Sequence, residues 1–172
     1  MEKQGFGKLK MRELARQAGV SHNAPYRHFP DREALLAALA AEGFARLGKA
    51  LAEAGRRGPQ ERGVAYVRFA LDHPQRFRLM FGGALCIDTH PGLREQASSA
   101  YDGLVRSFAT FGDPRAGQIT AAAAWSLVHG LAQLLLDGHF QRAAREGHDT
   151  EAFVQEVLGA VRFTLAAQRP PA

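Results

Sequence analysis

The sequence predicts an all-α protein, and three observations support this fold class. Apolar residues recur at helical spacing along nearly the whole chain, no stretch alternates apolar and polar residues for long, and Ala, Leu, Arg and Glu are frequent. Gly, Pro, Asp and Thr stand where these patterns begin and end. With 46% hydrophobic residues in 172, the chain can bury a sizeable core.

The first helix that the pattern predicts runs from about Met11 to Ala18 and ends at Gly19. A second, short helix follows Ser21, whose hydroxyl can cap the free N–H groups of the next turn. It ends near Phe29 because the following Pro30 disfavours helical geometry in the residue before it. The two helices are therefore separated by a very short connection.

A long helix follows, capped by Asp31 and running from Arg32 to about Ala54, before a break at residues 55–59 (GRRGP). Five more helices are expected, at about Gln60 to Asp72, Gln75 to Phe81, Gly92 to Phe111, Pro114 to Asp137 and, capped by Asp149 or Thr150, on to Ala167. Residues 82–91 form a loop. We expect an N-terminal module at residues 1–54 and a second domain at residues 55–172.

The net charge of +5 lies entirely in the first third of the chain. Residues 1–57 contain 11 Lys and Arg against 6 Asp and Glu, whereas residues 58–172 contain 11 of each. Such asymmetry indicates a phosphate-binding module joined to a neutral body, although a basic patch is often only a solvated face.

Other features exclude several classes of protein. The single cysteine, Cys86, excludes an intramolecular disulfide, fits a reducing cytoplasm and is expected to be a small buried residue. No apolar run approaches the roughly 20 residues that span a bilayer, and the N-terminus has no signal peptide, so we expect a cytoplasmic protein without a membrane partner. There is no nucleophile elbow, phosphate loop or zinc-spaced cluster, and we therefore expect no enzyme, cofactor or metal.

The segment from Met11 to Leu36 has the pattern of a helix-turn-helix. Gly19 supplies the left-handed backbone of the turn without steric cost. Ala15 is small where the two helices must approach closely. The apolar residues expected to hold the pair together are Leu14, Ala15, Ala18, Val20 and Phe29.

Two parts of this segment closely resemble the DNA-binding signature of the TetR family: residues 12–21 (RELARQAGVS) and residues 26–36 (YRHFPDREALL). The resemblance implies that the helix after the turn enters the major groove and that the next helix approaches the DNA backbone with its N-terminus. It implies these DNA-binding residues: Ser21, His22, Asn23, Tyr26, Arg27, His28 and Arg32. Asn suits adenine and His can donate to a guanine edge. Tyr26, His28 and Arg32 match phosphate-binding positions, which orient the protein without reading sequence.

In that family a longer helix packs across the two short ones, and here only Gly5-Phe6 resembles its end. Lys10 also replaces the usual Ser or Thr cap. Without such a helix, losing the burial of Leu14, Val20 and Phe29 would cost about 4 to 9 kcal/mol. We expect this form to bind DNA weakly or not at all and a form with a complete first helix to bind well. A dimeric small-molecule-binding protein without DNA binding is the alternative.

The remainder of the chain resembles one TetR subgroup, through residues 66–74 (YVRFALDHP), residues 77–81 (FRLMF), Trp125, His129 and Gly130. The i, i+4 spacing places Trp125 and His129 on one helix face, and Gly130 permits a close helix contact. His129 either faces a ligand or is a buried histidine bonded to a backbone carbonyl.

The resemblance implies a homodimer that pairs the helices at about 114–137 and 150–167 in a four-helix arrangement. Apolar stripes on both helices fit this role, although they could instead form an internal core: Ala121 to Ala124, Leu127, Leu131, Leu134, Leu135, Phe153, Val154, Val157, Leu158, Val161 and Leu165.

A ligand pocket is expected between aromatic and Met side chains, which suit a flat or apolar small molecule, although each of these residues could instead belong to the core. Its residues are Phe69, Phe77, Met80, Phe81, Tyr101, Phe108, Trp125 and His129. The function that these expectations describe is a ligand-responsive DNA-binding repressor, released from its operator by a small molecule.

Overall fold

The computed structural model describes residues 10–108, 114–140 and 149–161. These residues form α-helices and short 3-10 turns with no strand among them, which confirms the all-α prediction. The helices are α1 (Met11–Gln17), α2 (Arg32–Gly55), α3 (Pro59–Asp72), α4 (Pro74–Phe81), α5 (Pro91–Phe108), α6 (Pro114–Leu136) and α7 (Thr150–Gly159). The 3-10 turns are Ala24–Arg27 and Ile87–Thr89.

Local chemistry explains where the helices begin. A side-chain oxygen of Asp31 accepts a hydrogen bond from the Ala34 amide at 2.8 Å, as predicted for the cap of α2. Asp149 caps α7 in the same way, accepting from the amide of Glu151 at 3.3 Å. Helices α3 and α4 instead open with proline, whose missing N–H costs nothing in a first turn.

Helix α2 is the centre of the bundle and packs against α3, α4 and α5, while α3 also packs against α6 and α7. The side chains of Phe77 and Val67 are completely buried in this core. Helices α2 and α4 cross so closely at Gly43 that a Cβ there would lie 2.6 Å from the Met80 sulfur. A larger residue at this position would force the Met80 side chain to move.

Several sequence-based expectations need correction or lie outside the described residues. Helix α7 ends at Gly159 rather than near Ala167, consistent with the low helix propensity of glycine. Cys86, expected to be buried, is exposed because it lies in the loop between α4 and α5. Phe111, Leu165 and Ala167 lie outside the described residues.

Helix α6 is more apolar than the sequence reading allowed. It has 23 residues, its most apolar window has a mean hydropathy of 1.5, and only 17% of that window is buried inside the chain. By length and composition alone it could cross a membrane, contrary to the expectation that no segment would, but a single such helix is weak evidence. Most of this apolar window is therefore exposed in the described part of the chain.

Candidate functional sites

The turn after α1 has the predicted left-handed glycine. Gly19 has a φ of +68°, and the amide of Val20 donates to the carbonyl of Ala15 at 3.0 Å, which folds the chain back on the helix. Ala15 itself is only 1% exposed. The positions of Ala15 and Gly19 thus agree with the sequence-based prediction. Lys10, at the N-cap of α1, makes no side-chain capping bond, again as expected.

The second helix of the pair is shorter than predicted. Instead of an α-helix between Ser21 and Phe29, the chain forms a 3-10 turn over Ala24–Arg27, with Asn23 at its N-cap and no side-chain capping bond. Tertiary packing gives this turn little support, because Val20 and Tyr26 are 49% and 47% exposed. A short segment of weak helix formers does not extend into an α-helix without such packing.

The seven predicted DNA-binding residues are all exposed and lie in one short stretch of chain. Six occupy the segment 21–28, which includes the 3-10 turn, and Arg32 lies in the first turn of α2. We call residues 19–28 the reading turn. Beside Arg32, the carboxylate of Glu33 contacts His90 Nε2 at 3.1 Å. This contact joins the start of α2 to the loop at 82–90.

A partly open cavity of about 700 Å³ lies between helices α2 to α7 and the loop after α4. Five of the eight predicted ligand-binding residues line it: Met80, Phe81, Tyr101, Phe108 and Trp125. The other three lie behind its wall. Phe77 is completely buried, and Phe69 packs edge-on against the ring of His73 with centroids 5.1 Å apart. His129 stacks on Phe77.

A buried hydroxyl ties this wall together. The indole Nε1 of Trp125 donates to the Tyr66 hydroxyl at 3.1 Å, and the same hydroxyl lies 2.9 Å from His129 Nδ1. His129 therefore bonds a tyrosine, not the backbone carbonyl considered above. Burial raises the pKa of Tyr66 and lowers the pKa of His129. Both groups are consequently neutral at physiological pH and bond as neutral partners.

The sequence reading missed several cavity residues. Tyr66 belongs to the quoted motif but was not assigned to the pocket, and α2 contributes Phe44, Leu47 and Leu51, which helical periodicity marks only as apolar. Arg62 was missed entirely; it is half-buried, and its Nε donates to the Leu51 carbonyl at 3.3 Å. Because three cavity residues come from α2, the second half of the predicted N-terminal module packs into the body.

The apolar stripes of α6 and α7 divide between an inner and an outer face. Leu131 and Val154 are buried in the chain, whereas Ile119 and Leu134 of α6 are 61% and 40% exposed. Val161, which is 38% exposed, follows α7 and lines the cavity. Among the described residues, no atom outside its own helix lies within 4 Å of a Cβ placed on Gly130, so the close helix contact expected there is not made by this part of the chain. The outer face is an apolar surface without a cover in the described residues.

Known proteins are similar to this chain along most of its length. Residues 1–39 match the family profile "Bacterial regulatory proteins, tetR family", and residues 60–161 match "Tetracyclin repressor-like, C-terminal domain". No curated protein matches the chain.

Three solved structures resemble the fold. A protein of unknown function from Rhodococcus sp. RHA1 is 35% identical, with a TM-score of 0.73, over 92% of this chain and 84% of its own. SCO4313, described as a regulatory protein, is 24% identical with a TM-score of 0.69, over 88% and 83%. PfmR, a TetR family transcriptional regulator from Thermus thermophilus, is 16% identical with a TM-score of 0.62, over 91% and 89%.

The profile matches cover the reading turn and most of the cavity-lining residues outside α2, so the resemblance is not confined to one short motif. The family consists of transcriptional regulators rather than enzymes. This chain belongs to the TetR family of DNA-binding transcriptional regulators.

Proposed function

We propose that this chain is a cytoplasmic, homodimeric repressor whose affinity for operator DNA falls when a small, mainly apolar molecule occupies the cavity. The observation that carries the proposal is that one helix belongs to both sites. The first turn of α2 carries Arg32, and the second half of α2 lines the cavity with Phe44, Leu47 and Leu51. At 1.5 Å per residue its 24 residues extend roughly 36 Å.

A second connection supports coupling between the two sites. The loop after α4 lines the cavity with Gly83, Leu85 and Ile87, and a few residues later His90 contacts Glu33 in the first turn of α2. A ligand that displaces this loop therefore acts on both ends of α2. It shifts the population only if it binds one arrangement of the loop and α2 better than the other.

Dimerisation supplies the geometry that a single reading turn lacks. A second copy packed on the outer face of α6 would cover Ile119 and Leu134, and pairing of α6 and α7 with the same helices of the partner would form a four-helix arrangement. Two reading turns held about 34 Å apart would fit successive major grooves. Occupation of the cavity would change this separation, and the operator would be released.

One observation favours a second candidate, a dimeric small-molecule-binding protein that does not bind DNA. The reading turn has few packing partners among the described residues, as the exposure of Val20 and Tyr26 indicates. A turn held this loosely loses much of its binding free energy to ordering. The two candidates differ only in the response to DNA.

The experiment that separates them is a selection of genomic fragments with purified protein at low salt, followed by anisotropy titration of the best fragment. A repressor selects a sequence with two related half-sites and binds it more tightly than scrambled DNA. A Ser21→Ala/Asn23→Ala/Arg32→Ala triple variant should lose this binding. Enrichment of no fragment over the input would support the second candidate.

A further inference from the structure

The cavity has one charged residue in an otherwise uncharged lining. Among the described residues that enclose it, Arg62 is the only Lys, Arg, Asp or Glu, and most of the others are aliphatic or aromatic. Such a wall carries a single positive charge that no acidic neighbour in the cavity offsets. A cationic ligand would be repelled there, and an anion would be attracted more strongly than in water because the surroundings are apolar.

Hydrogen bonding within the described residues engages only the Nε–H of Arg62. Its Nε–H donates to the carbonyl of Leu51, which accounts for one of the five N–H groups. No carboxylate in the described part of the chain forms an ion pair with it, whereas nearby Arg57 pairs with Glu61 and Arg68 pairs with Glu151. Arg62 therefore differs from the nearby Arg57 and Arg68 in having no acidic partner among the described residues.

Arg62 also has a structural role that must be separated from ligand binding. Its guanidinium packs so tightly on the end of α2 that a Cβ on Gly55 would overlap it, and its charge favours the negative end of that helix. This role uses one edge of the group and one bond to Leu51. This structural role does not depend on whether a ligand occupies the cavity.

Apart from the Tyr101 hydroxyl, the other polar side chains described in the wall are already bonded. The Tyr66 hydroxyl is engaged by Trp125 and His129, and the side-chain amide of Gln60 donates to the Gln155 carbonyl at 3.0 Å. The remaining surface near the centre consists of aromatic rings and aliphatic side chains. A matching ligand thus has one polar end and an apolar body.

We infer that the effector is an amphipathic monocarboxylate and that Arg62 binds its carboxylate while the aromatic wall binds its apolar body. This inference rests on the proposed function of the cavity as the ligand site. A guanidinium can form two parallel hydrogen bonds with a carboxylate, which makes arginine selective for that group over an alcohol of the same length.

The test compares three probes of equal chain length: decanoate, decanol and decylamine, each below its aggregation concentration at pH 7.5. Trp125 is the only tryptophan in the chain and lines the cavity, so its fluorescence reports occupancy directly. The proteins are wild type, Arg62→Met, Arg62→Lys and the control Arg68→Met, which removes an exposed arginine from the same helix.

We expect wild type and Arg68→Met to bind decanoate at least about tenfold more tightly than decanol, and decylamine most weakly. Arg62→Met should bind decanoate and decanol equally, and Arg62→Lys should retain part of the preference. The ratio of the two affinities is the decisive quantity, because a merely structural defect at Arg62 would weaken both probes together.

Each other result contradicts the inference in a recognisable way. If all three probes bind wild type equally, the cavity is an apolar ligand site and only the role of Arg62 is wrong. If Arg62→Met keeps the carboxylate preference, another group supplies it. If no probe changes the Trp125 fluorescence, both the inference and the proposed ligand site fail.

Discussion

The reading turn and the helical body that encloses the cavity (α2 to α7) differ in what holds their side chains in place. In the body, Phe77 and Val67 are completely buried and Tyr66 is held by two side-chain hydrogen bonds. In the reading turn, Val20 and Tyr26 are about half exposed and Asn23 makes no capping bond. The body is therefore ordered by its own packing, whereas the polar side chains of the turn face solvent, where they are accessible to a binding partner.

This difference predicts opposite consequences of truncating an aromatic side chain in the two regions. Phe77→Ala should lower the free energy of unfolding by about 3–5 kcal/mol, because it leaves a cavity in a fully packed core. Tyr26→Ala should change it by less than about 0.5 kcal/mol, since the residue is 47% exposed. Urea unfolding followed by circular dichroism measures both. Equal losses would mean that the turn is as tightly packed as the body.

Apolar side chains on the outer face of α6 are as exposed as those of the reading turn, although α6 belongs to the body. Dimerisation through this face would bury them. Ile119→Glu, at a side chain 61% exposed, should shift the protein to monomers in sedimentation equilibrium, with dimer affinity reduced at least about a hundredfold. Its helical content should not change. Ser98→Glu, exposed on α5, is the control. A dimer that persists in Ile119→Glu would place the interface elsewhere.

Among the predicted DNA-binding residues, some should orient the protein on the DNA and others should recognise the base sequence. Arg32→Ala should weaken binding to all DNA sequences by about tenfold and lower the log–log salt slope by about 0.9, as expected for one lost phosphate contact. Asn23→Ala should alter the preferred base instead. Anisotropy titrations over a range of salt, on matched operator variants, distinguish the two. The converse pattern would exchange their roles.

The smallest effect concerns pH and is confined to the body. Burial lowers the pKa of His129 from its ordinary value of 6.5, so protonation opposes folding. The unfolded chain binds this proton more readily, and stability should fall as pH drops below 6.5. His129→Gln should remove this part of the slope, leaving a flatter curve of unfolding free energy against pH. A slope identical in both proteins would show that His129 does not titrate in this range.

The two regions also differ in how much of their structure could be predicted from the sequence. The reading turn is contiguous, so the pattern around Gly19 was sufficient to predict the glycine geometry and the exposed residues. Its missing α-helix was not foreseeable, since local capping at Ser21 suggested a helix that tertiary packing does not support.

The cavity is assembled from segments that are distant in the sequence. Periodicity identifies which face of a helix is apolar, but not which residues of that face reach the cavity. Phe77 and Phe81 lie on one face of α4, yet only Phe81 reaches the cavity. Arg62 was missed because an isolated charge near the start of a helix resembles a solvated residue. Its role depends on α2 and α3 meeting at Leu51, which no local pattern specifies.

The central test of coupling between the cavity and the reading turn measures the coupling free energy twice, once through DNA affinity and once through ligand affinity. The affinity for the selected operator is measured with and without saturating decanoate, and the affinity for decanoate with and without saturating operator. The account predicts that each ligand weakens the other by the same factor, at least about fivefold. Equal DNA affinity in the presence and absence of bound decanoate would contradict it.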